Sequence, residues 1–113
     1  VLDDIASLTL QTAIHGLSTR QQVTADNIAN LETAGFTASG VDFETSLAQA
    51  VGEGRPTAAE VSITPTGDQP GSNGNNVNLD TEVVTATKTQ LQQQLLTGGL
   101  TNKYGLFSTV LKG

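Results

Sequence analysis

Apolar residues recur at helical spacing through the first third of the chain. Leu10, Ile14, Leu17, Gln21, Thr24, Ile28 and Leu31 alternate by four and three, a heptad-like stripe with two polar members. The spacing predicts a helix from about Leu2 to Thr33, a rod of roughly 45 Å at about 1.5 Å per residue. Asp3 and Asp4 stand where the helix dipole favours negative charge. Gly35 is placed to be the left-handed residue that ends the helix, with Phe36 packing back on Leu31 in a Schellman-type closure.

A second stripe occupies the other end. Val84, Leu91 and Leu95 mark one apolar face, and Leu100, Tyr104, Phe107 and Leu111 mark another. The phase changes at Gly98-Gly99, so either a bend there or a helix straightened by packing is expected. Asn78 or Asp80 can cap the start of this helix, and Asp80 and Glu82 suit its first turn.

Between the stripes lies an irregular stretch. Val41, Phe43 and Leu47 suggest a short helical turn, and Gly52, Gly54 and Pro56 break any regular element. Val61 and Ile63 alternate with polar neighbours in the manner of a short strand before Pro65. Residues 67–74 read as turn. The expected fold is therefore mainly α: two long antiparallel, coiled-coil-like terminal helices joined by an irregular segment with a short strand or turn. Three parts of one structural unit follow: an N-terminal helix and junction (1–36), an irregular middle (37–77) and a C-terminal helix (78–113).

Composition narrows the class. With 4% aromatic residues and no Trp or Met, the 113-residue chain is thin in large apolar groups for an independent globule. With only 14% charged residues it is also unlike a solvated disordered chain. A helical protein completed by partners fits both facts. The net charge is −6 and the five cations are dispersed, so no basic stripe exists to neutralise phosphates. Having no cysteine, the chain has neither disulfide nor thiolate metal site. Val1-Leu2-Asp3-Asp4 is not followed by a Sec-type pattern, and the lack of an initial Met leaves open whether a few residues precede Val1. No apolar run approaches the ~18 residues of a membrane helix.

Candidate chemistry is sparse. His15, the lone histidine, has Gln11, Thr12, Ser18 and Thr19 as helical neighbours, a solvated setting without the partners of a catalytic triad. Residues 73–82 are rich in oxygen ligands but lack the EF-hand spacing, which favours a turn-and-cap role over calcium. No catalytic residue, cofactor or metal is expected. The unusual polar residues are Asn27 and Asn30, three apart on the turn before a helix stop. Their amides can donate and accept at once, bridging backbone groups of an adjacent loop or subunit.

These residues carry a resemblance. Asn27-Ile28-Ala29-Asn30, with Thr33, Gly35 and Phe36, resembles the N-terminal motif of bacterial flagellar rod and hook proteins. Arg20 upstream and Asp42-Phe43-Glu44 downstream agree with it. The run Gly74-Asn75-Asn76-Val77-Asn78-Leu79-Asp80-Thr81-Glu82 is similar to a block of the family's proximal-rod members, and Lys103 through Leu111 to the family's closing helix. Leu31, Ala34 and Phe36 depart from the common Ala, Pro and Tyr.

The resemblance implies a non-catalytic structural subunit of the proximal rod in the flagellar basal body, on the periplasmic side of the inner membrane. It implies type III export and a share in transmitting torque. Implied partners are FliE, FlgC, FlgF, further copies of the chain and the export apparatus at the rod base. Junction or assembly roles would fall to Asn27, Asn30, Thr33, Gly35, Phe36, Asn75, Asn76, Val77 and Glu82. Helix packing would fall to Leu10, Ile14, Leu17, Ile28, Leu31, Leu91, Leu95, Leu100, Tyr104, Phe107 and Leu111. Another rod subunit such as FlgC, or a small secreted helical adaptor, is the alternative.

Overall fold

A computed structural model describes residues 2–99. Helix α1 spans Leu2–Ala29 and α3 spans Leu79–Gly99. Between them come β1 (Ser39–Asp42), α2 (Glu44–Gly52), a 3-10 turn (Pro56–Ala58) and β2 (Ser62–Pro65). The two long helices pack antiparallel: Asn27 near the end of α1 meets Glu82 at the start of α3, and Gln21 meets Gln93 further along. The mainly helical fold with two long terminal helices is as the stripes predict. The expected contacts at Leu100, Tyr104, Phe107 and Leu111 lie outside the described residues.

The core differs in its origin from the expectation. Leu10, Ala13 and Leu17 of α1 are buried against Phe43 and Leu47 of the middle segment, and Leu96 is the contribution of α3. The middle segment, expected to be loosely structured, is thus built on α1. Phe43 lies so close to the helix that a Cβ on Gly16 would sit 2.5 Å from its ring. A glycine in mid-helix costs about 1 kcal/mol relative to alanine. Here it makes room for the largest core side chain.

Two further departures have clear causes. Val41 is in a strand, where helix was expected. It faces Ile63 in the antiparallel pair β1–β2, whose register runs from Ser39 opposite Pro65 to Asp42 opposite Ser62. Gly40 and Asp42 have little intrinsic strand preference, and long-range hydrogen bonds supply what local sequence lacks. Helix α1 also stops at Ala29, four residues early. The Asn30 N–H still reaches Asp26 and Asn27 carbonyls, and tighter turns follow through Thr33. Gly35 does adopt a left-handed φ of +74°, yet its N–H bonds Asn73 O, so no Schellman closure forms.

Helix α3 presents its polar side to α1. Glu82, Thr89 and Gln92 are buried there, whereas Val84, Leu91 and Leu95 face outward. Asn78 caps it, its Oδ1 accepting from the Thr81 N–H at 3.2 Å. Among the described residues no helix is long and apolar enough to cross a membrane.

Candidate functional site

The end of α1 and the approach to α3, separated by some fifty residues of chain, close on one another. Asn27 is the centre. Its Nδ2 donates to Ser39 O at 2.8 Å and to Glu82 Oε1 at 2.9 Å, and its Oδ1 accepts from the Ser39 N–H at 3.2 Å. One side chain therefore ties α1, β1 and the first turn of α3, and it is 2% exposed. An amide suits this place because it alone offers donors and an acceptor without charge.

Asn75 and Asn76 complete the closure from the other side. Asn75 Nδ2 donates to Asn30 O and Thr33 O, both at 2.7 Å, adding a second bond to carbonyls that already close the turns after α1. Its Oδ1 accepts from the Val77 N–H at 2.8 Å, which turns the chain toward α3. Asn76 Oδ1 accepts from Ala38 N–H at 2.6 Å, and its Nδ2 donates to Asp68 O at 3.0 Å. Gly74, with φ of +81°, passes within contact of Gly35: a Cβ on Gly74 would meet Gly35 Cα at 3.3 Å. The two blocks named from the sequence are thus the two halves of one junction.

Other expected junction residues have smaller parts. Asn30 bonds locally, its Nδ2 to Asp26 O and its Oδ1 to the Thr33 hydroxyl, on the exposed side. Phe36 is half-buried and borders an open groove with Val23 and Ile63. Val77 is half-buried. Of the expected packing residues, Leu10 and Leu17 are buried, Ile28 and Leu31 half-buried, and Ile14, Leu91 and Leu95 exposed. Leu91 and Leu95 take little part in packing within the chain because α3 turns its polar side inward, and Ile14 lies on the outer side of α1.

A second polar anchor lies about two turns earlier on α1. Arg20 holds Glu44 through both guanidinium nitrogens at 2.7 and 2.6 Å, and its Nη2 also donates to Val41 O at 2.7 Å. Its guanidinium stacks 4.9 Å from the Phe43 ring centre. This fork geometry is specific to arginine. Burial alone would push the Glu44 carboxyl up, but the hydrogen bonds and charge of Arg20 outweigh it and hold the group below its ordinary range. Glu82 goes the other way. Its burial raises it, the Asn27 hydrogen bond offsets only part, and the negative charge of Asp68 adds to the rise.

Sequence reasoning missed Gly16 and Ser39. A lone glycine deep in an apolar-periodic helix was the available signal for the first, whereas Ser39 acts only through its backbone and left none. His15 is exposed, and among the described residues no cluster of acidic or histidine side chains could hold a metal.

The α1 half of the junction, with Asn27 and Asn30, falls in a stretch that matches a known family. Residues 8–37 match the flagella basal body rod protein family, and over that stretch the chain is similar to those proteins. Among individual proteins it is similar to the flagellar basal body rod protein FlgB. It is 28% identical to FlgB of Escherichia coli strain K12 over 123 residues, covering 90% of this chain and 89% of that protein. Against FlgB of Bacillus subtilis strain 168 it is 29% identical over 117 residues, covering 92% and 91%.

Proposed function

We infer that this chain is a structural subunit of the flagellar basal-body rod, of the FlgB kind. The observation that carries the reading is the junction. Residues from both ends of the chain, within a similarity that spans about 90% of it, converge on Asn27, Asn75 and Asn76. Hydrogen bonds of this density are spent on fixing the angle between two helices and a hairpin. On this reading the chain is a non-catalytic building block without a cofactor.

The finer parts of the proposal follow from the family resemblance. The subunit would sit in the proximal rod, on the periplasmic side of the inner membrane, and transmit torque. It would touch FliE, FlgC, FlgF and other copies of itself, next to the export apparatus at the rod base. The segments 1–36, 37–77 and 78–113 would act as one unit. The remaining expected contacts, including the outward-facing Ile14, Leu91 and Leu95, would then serve neighbouring subunits.

Deletion of the gene in its source bacterium tests this directly. The expected result is loss of rod, hook and swimming, restored by a tagged copy that purifies with basal bodies. A deletion strain that still builds complete flagella would sink the reading.

A further inference from the structure

Helix α3 has its apolar side on the outside. Val84 is 66% exposed, Leu91 56% and Leu95 39%, while the side toward α1 carries Glu82, Thr89 and Gln92 and, as its one large buried apolar residue among those described, Leu96. Surface helices normally bury the apolar stripe and expose the polar one. The inversion leaves an apolar strip uncovered, at a cost that burial against something else would recover.

A single charge sits in the strip. Lys88 lies four residues after Val84 and three before Leu91, on the same face and exposed. The cations among the described residues are Arg20, Arg55 and Lys88. Arg20 pairs with Glu44 and Arg55 with Glu53, whereas Lys88 has no ion pair among the described residues. A lysine without a partner in the middle of an apolar strip points to an acid on whatever covers it.

The same chain offers such a surface elsewhere. An open groove of about 440 Å³ runs along the last turns of α1, with Val23, Phe36 and Ile63 as its apolar lining. Asp26 stands on its wall, exposed and held only by a long 3.3 Å bond from Gln22 Nε2. Among the described residues, Asp26 is the only ionisable group lining that groove. Copies of a chain with net charge −6 repel over most of their surfaces. An acid facing the exposed lysine is a contact at which they attract, and it would fix register as well as affinity.

We propose that the outer face of α3 in one copy docks into this groove on the next, with Lys88 of the first meeting Asp26 of the second. The proposal rests on the reading of the chain as a rod subunit and names how one copy meets another. Strip and groove are different patches, so the contact is heterologous. Such a contact repeats into a ring or an open helical array rather than closing as a two-fold dimer.

Charge exchange in the source bacterium, with the chromosomal copy replaced, decides it. Asp26→Lys and Lys88→Asp are each expected to lower swimming at least tenfold, and the double variant to restore it. Circular dichroism of the purified variants checks that they fold. Because the chain has no cysteine, a second readout is clean: Asp26→Cys in one tagged copy and Lys88→Cys in another should form a mixed disulfide in isolated basal bodies under a mild oxidant. Normal swimming of either single variant, no rescue in the double, or cross-linking only to a different flagellar protein overturns the pairing. Full swimming without any copy overturns both the pairing and the reading beneath it.

Discussion

Asn27 and Glu82 stand 55 positions apart in the chain and 2.9 Å apart in the fold. Through this one contact the end of the first helix is locked to the beginning of the last. Replacing Asn27 with alanine strands the Ser39 backbone and the Glu82 carboxylate in a buried site. Each orphaned buried group costs about 1–3 kcal/mol. The Asn27→Ala protein should therefore melt roughly ten degrees lower. Asn30→Ala, which removes only local, exposed bonds, should shift the melt by much less. Equal shifts in a thermal scan would show that Asn27 has no special place.

Gly16 offers a test whose sign is informative. On an open helix surface Gly→Ala stabilises by up to about 1 kcal/mol. Here the added methyl would press on Phe43, and overpacking typically costs about 1–3 kcal/mol. Gly16→Ala is expected to destabilise in urea titration, and Phe43→Leu in the same chain should recover part of the loss. A more stable Gly16→Ala protein would mean that Phe43 does not sit on α1 as described.

Arg20→Lys keeps the charge and loses the fork. It should cost about 1–2 kcal/mol, since a lysine cannot hold both Glu44 oxygens and Val41 O together. The pH dependence follows from the depressed Glu44 carboxyl. Its contribution is present above the ordinary carboxyl range and is lost as pH falls through the lowered value. Melting temperatures of the Arg20→Lys and parent proteins should thus converge in acid. A gap that is constant with pH would argue against the ion pair.

Glu82 has the opposite sign. Its raised carboxyl means that stability is present below the ordinary range and lost as pH rises through the raised value. Glu82→Gln keeps an acceptor for Asn27 Nδ2 and removes the charge. It should be the more stable protein at pH 8, with the advantage fading toward pH 4. The reverse order at pH 8 would show that the ionised carboxylate is the better partner.

The first helix was legible because Leu10 and Leu17 repeat at a period that local geometry enforces. The mainly α class and the short strand at Ile63 followed from the same kind of signal. Strand β1 was not legible, since Ser39-Gly40-Val41-Asp42 gains its hydrogen bonds from residues far off in sequence. The orientation of α3 was hidden for another reason. Val84, Leu91 and Leu95 read as a core-facing stripe, and nothing in their spacing tells an inward face from one left for a neighbour. Asn27 was identifiable as a bridging amide, but not its two partners, because Ser39 contributes only backbone and Glu82 belongs to the opposite end of the chain.

The small sheet has a further consequence for a protein that is to be stacked in many copies. Asn27 occupies the backbone of Ser39, and Arg20 occupies the Val41 carbonyl, where a third strand would otherwise pair. On the far side, β2 is four residues long and ends in Pro65, which has no N–H to offer. Exposed strand edges invite runaway pairing between identical chains, and closing them is how natural proteins avoid it. With one margin plugged by side chains and the other clipped by a proline, crowded copies of this hairpin are steered away from fusing into amyloid-like ribbons, and ordered growth is left to the helices.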